Sequence, residues 1–172
     1  LMSNFQAGLR VLFSHDTGLP ELIHKLNYLL VANAAGERFI TLFIARYDNN
    51  TGVLEYINAA HNPPVLYDVE NHEIIHLHSS CVGIGMLDEI PDIKIRKITV
   101  ENTSKLVCYT DGLSELKGDD GEELGTREII RYISNNEPVE QNIISMLENL
   151  GIPDNNPDLF DDVSIMVVDL IR

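Results

Sequence analysis

The sequence predicts an α+β fold in which antiparallel β-sheets are packed between helical layers. Two segments with apolar residues at helical spacing open the chain, and a series of short β-branched runs separated by turn residues fills its middle. Two more helical segments then precede a final apolar strand, which is the order typical of a mixed domain. No linker interrupts the 172 residues, so we predict one domain over residues 1–172.

The first two helices are predicted from amphipathic periodicity. One begins the chain and ends near residues 14–18, and its apolar positions are Leu1, Phe5, Leu9, Leu12 and Phe13. The next begins at Pro20, a residue suited to a first helical turn, and runs to about residue 35. Its apolar positions are Leu22, Ile23, Leu26, Leu29 and Leu30.

The strands follow from β-branched runs and turn signals. Residues 39–47, FITLFIARY, show little alternation, which predicts a central strand buried on both faces, and residues 53–58 return from the turn at 48–52. Further strands are predicted as a β-meander at residues 64–68, 73–78, 93–100 and 105–110. Helices at 126–134 and 138–150, a polar loop at 151–162 and a strand at 163–171 complete the chain.

Composition excludes several classes of protein. The formal charge of −15 comes without a cluster of Lys and Arg, which argues against a nucleic-acid partner. No apolar run approaches the ~20 residues of a membrane-spanning helix, and no leader opens the chain, so we expect no membrane contact from this domain. The two cysteines, Cys81 and Cys108, suit a reducing cytoplasm, and Cys108 is predicted to be a buried thiol rather than half of a disulfide.

Two acidic segments could form a metal site. Thr110-Asp111-Gly112 ends one predicted strand, and Asp161-Asp162 precedes the last. If these strands are antiparallel neighbours, their carboxylates meet at one sheet edge, where Mg²⁺ or Mn²⁺ would offset their repulsion. Gly112 would support the site by letting the backbone turn sharply. The alternative is an ordinary Asp-Gly turn and an exposed charge at the end of a strand.

The order and spacing of six motifs resemble the PP2C-like serine/threonine phosphatases of the bacterial SpoIIE/RsbU type. Any one motif is weak, since Asp-Gly turns and Asp-Asp pairs are common, but together they cover nearly the whole chain. They are FITL at residues 39–42, NAAHNPP at 58–64, VGIG at 82–85, YTDGLSE at 109–115, LG at 124–125 and DDVS at 161–164.

The resemblance implies a PP2C-like layered fold and a chemistry. Asp111 and Asp161 match the family's metal ligands, whereas Asp162 matches a neighbouring position to which we assign no ligand role. The family's centre holds two Mn²⁺ or Mg²⁺ ions, and a metal-bound hydroxide attacks the phosphorus of phosphoserine or phosphothreonine without a protein nucleophile. The implied partner is a phosphorylated protein, such as a STAS-domain anti-anti-sigma factor, and the implied context is a signalling protein with an upstream sensor domain.

Two departures from the family qualify this reading. The family's Gly-Asp-Val-Ser-Gly-His-Gly-like segment, whose Asp bridges both metals, does not occur in these residues. We therefore expect an N-terminally truncated domain that binds metal weakly and has little activity, within a parent protein that has both. Ala60 stands where the family has Gly, which is tolerable if φ is negative and destabilising if φ is positive.

Other readings stay open at this point. The chain could be a non-catalytic phosphoprotein-binding module of the same fold, or a hydrolase of small phosphoesters. His61 could be a general acid, but its place before Asn62-Pro63-Pro64 favours a structural role in a rigid turn. Glu115 and the acidic residues 119–123 lack the ligand spacing of a calcium loop and are predicted to form a solvated turn.

Overall fold

The computed structural model describes residues 2–14, 17–34, 39–117, 122–152 and 161–172. Most of the predicted loop at 151–162 and of the predicted acidic turn at 119–123 falls outside these ranges. The elements are α1 (Met2–Leu12), α2 (Leu19–Ala34), β1 (Leu42–Asp48), β2 (Val53–Ala59), β3 (Val65–Asp68), β4 (Ile74–His76), β5 (Arg96–Thr99), β6 (Ser104–Tyr109), α3 (Asp111–Ser114), α4 (Gly125–Ile133), α5 (Val139–Asn149) and β7 (Ile165–Leu170).

The chain divides into two compact units. The first is Leu1–His61 with His78–Thr99, and the second is Asn62–Leu77 with Val100–Arg172. Each unit has its own antiparallel sheet, its own helices and its own apolar core. The single domain over residues 1–172 stays a prediction. Among the described residues, no helix combines the length and apolar character that crossing a bilayer requires.

The first unit packs α1 and α2 against a sheet in the order β1-β2-β5. Helix α2 supplies half of the buried core residues, because its apolar positions recur three and four residues apart on one face. Leu22, Ile23 and Leu26 are at most 1% exposed and pack with Ile57 and Ala59 of β2. The predicted hairpin is confirmed, with β1 and β2 paired from Leu42↔Ala59 to Asp48↔Val53.

The prediction that residues 39–47 form a central strand buried on both faces is wrong. In the sheet that the described residues form, β1 lies at one edge, and six of its seven residues are half-buried. The central strand is β2. A continuous β-branched run does not distinguish these cases, because moderate burial of both faces suppresses alternation as effectively as complete burial does.

The second unit packs α4 and α5 against a sheet in the order β4-β3-β6-β7. All six residues of β6 are buried, since β6 pairs with β3 on one side and with β7 on the other. Val107 of β6 shares a core with Ile133 of α4 and Met146 of α5, and all three are fully buried. β6 is therefore the strand around which this unit is organised.

Lys105 of β6 is a charged residue in this core and is only 3% exposed. Its Nζ donates to the carbonyl of Glu137 at 2.7 Å and to Oδ1 of Asn142 at 2.6 Å, and both oxygens of Asn135 lie within 3.1 Å. Burial lowers the pKa of the Lys105 ammonium, an effect that the nearby carboxylates of Asp169 and Glu137 oppose. The ammonium thus links β6 to the connection between α4 and α5.

The predicted β-meander is also wrong. β5 pairs with β2, whereas β3, β4 and β6 belong to the other sheet. Turn residues indicate where a strand ends, but they do not specify its partner. The four predicted helices and seven predicted strands are otherwise present, with ends displaced by up to three residues, and they confirm the α+β class. The additional helix α3 has four residues, too few to produce a helical period.

Candidate metal centre

The two acidic segments singled out from the sequence lie side by side in the second unit. The ladder between β6 and β7 ends at the pair Tyr109↔Ile165, and the N–H of Thr110 then donates to the carbonyl of Ser164 at 3.1 Å. Asp111 follows β6 directly, and Asp161 comes shortly before β7. The strands are therefore antiparallel neighbours whose acidic ends adjoin, as the sequence predicts.

Thr110 joins these two segments through its side chain as well. Its hydroxyl donates to the carbonyl of Asp162 at 3.0 Å and accepts the N–H of Ser164 at 2.9 Å. The backbone of Thr110 is extended, with φ −87° and ψ 162°, which suits a β-branched residue. This role could not be predicted from the sequence, because a threonine at the end of a strand carries no distinctive pattern.

Gly112 is required for a different reason from the predicted one. Its φ is not positive, and the chain turns there by entering α3. A Cβ at this position would lie 2.7 Å from the carbonyl oxygen of Asp162 and 3.1 Å from that of Asp161. Because real Cβ atoms essentially never approach an oxygen to 2.7 Å, the missing side chain is what lets the two backbones approach this closely.

The carboxylates at this edge are exposed and tied to their own backbone. Oδ1 of Asp111 accepts the N–H of Gly112 at 3.1 Å, and Oδ1 of Asp161 accepts the N–H of Asp162 at 2.7 Å. The ion pairs between described residues lie elsewhere: Lys25–Glu21, Lys97–Glu55 and Arg131–Glu128. No described lysine or arginine therefore neutralises these two carboxylates.

This donor set fits a hard divalent cation. Carboxylate oxygens, together with the backbone carbonyls of Asp161 and Asp162 beside Gly112, are the ligands that Mg²⁺ and Mn²⁺ prefer. No group of three or more His, Cys, Asp or Glu residues gathers at a metal-binding spacing among the described residues. Further ligands would have to be water or groups outside the described ranges. The assignment of Asp111 and Asp161 as metal ligands stays a prediction.

Tyr109 anchors the end of β6 that carries Asp111. Its ring is 3% exposed, and its hydroxyl donates to the carbonyl of Pro63 at 3.1 Å. The same hydroxyl lies 3.0 Å from Oγ1 of Thr126 in α4. Burial raises the pKa of the Tyr109 phenol, so the hydroxyl stays protonated and available as a donor. The YTDG and NPP motifs are thereby in direct contact.

The loop around His61 has an unusual backbone. The fully buried Asn58 accepts the N–H of His61 through its Oδ1 at 2.8 Å. Ala60 between them has φ 55°, in the left-handed region, which glycine adopts readily and which costs alanine about 1–2 kcal/mol. The departure from the family's glycine therefore carries backbone strain. The structural role of the His61 imidazole stays a prediction.

The other sequence expectations have mixed outcomes. Glu115 is exposed, and an isolated antiparallel bridge pairs Lys117 with Glu123, whereas residues 118–121 lie outside the described ranges. Both cysteines are free thiols, and Cys108 is buried, as predicted. Burial raises the pKa of the Cys108 thiol to about 11, as expected for an inert core thiol.

Comparison with known proteins identifies one family. The family model described as Stage II sporulation protein E (SpoIIE) matches residues 1–171. Protein IcfG of Synechocystis is 26% identical over 145 residues, or 83% of this chain and 22% of its own length. Phosphoserine phosphatase RsbU of Bacillus subtilis is 24% identical over 108 residues, or 62% of this chain and 32% of its own length. This chain thus spans a third or less of each curated relative.

A solved structure shares the fold. The SiaA-PP2C domain of Pseudomonas aeruginosa superposes with a TM-score of 0.76 at 15% identity, over 96% of this chain and 65% of that one. At this level of identity the likeness concerns the fold alone. It confirms the predicted PP2C-like fold class.

Proposed function

Because the chain belongs to the Stage II sporulation protein E (SpoIIE) family, we propose that it is a metal-dependent protein serine/threonine phosphatase module. The observation that carries the proposal is the convergence of residues 110–112 with residues 161–164 at one end of the β6–β7 pair. Asp111 and Asp161, both exposed and without a cationic partner among the described residues, lie on the two segments that meet there. Such an arrangement favours binding of a divalent cation.

In this proposal Asp111 and Asp161 bind Mn²⁺ or Mg²⁺ through their carboxylates. A bound divalent cation supplies a Lewis acid for the phosphoryl oxygens and activates water at neutral pH. Gly112 keeps the backbone carbonyls of Asp161 and Asp162 close to the ligand edge. The exposure of both carboxylates leaves the edge open to a phosphorylated side chain on another protein.

The proposed substrate is a phosphoserine or phosphothreonine on a regulatory protein. The printed name of one relative, a phosphoserine phosphatase, supports the reaction class. Family resemblance further suggests a STAS-domain anti-anti-sigma factor as the substrate class. It also suggests a bacterial signalling protein with an upstream sensor domain as the context of this module.

The test compares substrates and variants in the full-length protein. We expect Mn²⁺-dependent release of phosphate from a phosphoserine peptide, with weaker turnover of p-nitrophenyl phosphate and none in EDTA. Asp111→Asn and Asp161→Asn should each lower turnover about a hundredfold or more, because each removes a charged ligand. Asp92→Asn is the matched control, since it removes an exposed carboxylate from the other unit.

The outcomes separate the alternatives. Binding of the phosphopeptide without hydrolysis, at saturating Mn²⁺, would identify a non-catalytic binding module. Faster turnover of p-nitrophenyl phosphate than of the peptide would indicate a hydrolase of small phosphoesters. Activity that survives both Asp111→Asn and Asp161→Asn would show that the acidic edge is not the site.

A further inference from the structure

We propose that Thr110 is a positioning residue, whose hydroxyl holds the Asp161 segment against the Asp111 segment and thereby sets the affinity for the cation. This inference rests on the proposed function of the same edge. It concerns a side chain that would not itself bind metal or substrate. The hydroxyl belongs to the segment of Asp111 and bonds to the backbone of two residues in the segment of Asp161.

Hydrogen bonds tie Thr110 to the segment that carries Asp161. Three bonds connect Thr110 to the other segment, and two of them use the hydroxyl: one donated to the carbonyl of Asp162 and one accepted from the N–H of Ser164. The third is donated by the backbone N–H of Thr110 to the carbonyl of Ser164. The hydroxyl therefore satisfies a donor and an acceptor on either side of Val163, at the point where the strand ladder has ended.

There is no free space beside Gly112 for a side chain. The carbonyl that accepts the Thr110 hydroxyl is the same Asp162 carbonyl that would lie 2.7 Å from a Cβ on Gly112. The carbonyl oxygen of Asp162 therefore lies between the hydroxyl of Thr110 and the backbone of Gly112. Loss of the hydroxyl removes the attraction that keeps the carbonyl there, so the segment carrying Asp161 can move away from Asp111.

Three variants separate the effect of the Thr110 hydroxyl from that of the side-chain shape and of general stability. Thr110→Val keeps the shape and the β-branch but removes the donor and the acceptor. Thr110→Ser keeps the hydroxyl and loses one methyl group. Ser104→Ala is the matched control, because Ser104 lies at the opposite end of the same strand and its hydroxyl donates to the carbonyl of Asn102 at 3.1 Å.

The experiment measures affinity for Mn²⁺, not activity. Paramagnetic broadening of the amide signals of residues 110–112 and 161–164 is followed during a Mn²⁺ titration of the ¹⁵N-labelled chain, a method that reaches millimolar dissociation constants. Thermal unfolding of every variant without metal is recorded alongside. We expect Thr110→Val to weaken Mn²⁺ binding about tenfold or more, in the range found for groups that orient metal ligands.

Thr110→Ser should bind Mn²⁺ within about threefold of the unmodified chain, since the orienting hydroxyl is retained. Ser104→Ala should lower the unfolding temperature as Thr110→Val does but leave Mn²⁺ binding unchanged. Thr110→Val with unaltered affinity, or Ser104→Ala with equally weakened affinity, would overturn the positioning role while leaving the metal site intact. Absence of broadening at both segments of the unmodified chain would overturn the metal site and the positioning role together.

Discussion

Ala60→Gly is expected to stabilise the protein, although it replaces the residue with one that is normally less favourable. Ala60 has φ 55°, and its neighbours hold it there: Asn58 accepts the N–H of His61 at 2.8 Å, and the carbonyl of Asn58 accepts the N–H of Ser80 at 2.8 Å. An L-residue in the left-handed region costs about 1–2 kcal/mol relative to the right-handed region. The hydrogen bonds prevent the loop from relaxing to a negative φ.

The net gain follows from two opposing contributions. Glycine removes the left-handed strain but adds about 0.4–1 kcal/mol of conformational entropy to the unfolded chain. The midpoints of these two ranges differ by about 0.8 kcal/mol, and the free energy of unfolding should rise by about that amount. For a chain of this size each kcal/mol moves the melting temperature by about 2–4 °C, so the expected increase is about 2–3 °C.

Thermal and urea unfolding followed by circular dichroism measure this effect. The control is Ala7→Gly, the same chemical change on the exposed side of α1, which should lower the free energy of unfolding by about 0.5–1 kcal/mol. Opposite signs at the two sites are the predicted result. If Ala60→Gly destabilises the protein as Ala7→Gly does, the strain at Ala60 is absent and the reasoning is refuted.

Three further changes test other parts of the structure. Gly112→Ala places a methyl group 2.7 Å from the carbonyl oxygen of Asp162. It should lower the free energy of unfolding by about 1–3 kcal/mol, as measured by thermal unfolding. It should also weaken Mn²⁺ binding at least about tenfold, as measured by calorimetric titration. Lys105→Met should lower the free energy of unfolding by about 2–4 kcal/mol, as measured by urea unfolding, because it leaves buried carbonyl and amide oxygens unpaired. Lys25→Met, which breaks an exposed ion pair, should change the free energy of unfolding by less than about 1 kcal/mol. The Cys108 thiol, with a pKa of about 11 when folded against an ordinary value of 9.0, keeps its proton where the unfolded chain has lost it. Between pH 9 and 11 stability should therefore fall more steeply than in Cys108→Ala, by about 1 kcal/mol per pH unit on average, as urea titrations at each pH would measure.

Results contrary to these expectations would each exclude one structural claim. An unchanged Mn²⁺ affinity in Gly112→Ala would mean that the Asp162 carbonyl does not need its place beside residue 112. Equal losses in Lys105→Met and Lys25→Met would mean that the buried ammonium is not held by its oxygen partners. Parallel pH profiles for the unmodified chain and Cys108→Ala would mean that burial does not protect this thiol.

The sequence predicts the helices and strands well because their signals are local. Apolar spacing in α2 follows directly from the single face that it buries, and the turn at residues 48–52 carries its own hydrogen-bonding side chain, Asp48, which accepts the N–H of Asn50 at 2.8 Å. Strand partners are not local. The edge position of β1 and the pairing of β5 with β2 depend on which faces are covered, and a single run of residues does not encode this.

The candidate site shows the same division. The meeting of the segments that carry Asp111 and Asp161 could be predicted, because one segment ends a strand and the other precedes a strand, and antiparallel pairing brings such ends together. The sequence predicts that Gly112 permits a sharp turn, whereas the structure shows a close approach between two backbones at this residue. The bonds of Thr110 and the sign of φ at Ala60 are three-dimensional facts with no counterpart in composition or spacing.

The most direct test of the proposed metal centre is a crystal of the protein soaked in Mn²⁺ and measured at a wavelength where manganese scatters anomalously. We predict an anomalous peak about 2.0–2.5 Å from a carboxylate oxygen of Asp111. Either the same peak or a second one should lie at a similar distance from a carboxylate oxygen of Asp161. Peaks that contact neither residue, or well-ordered Asp111 and Asp161 side chains with no peak between them at saturating Mn²⁺, would contradict the proposed centre.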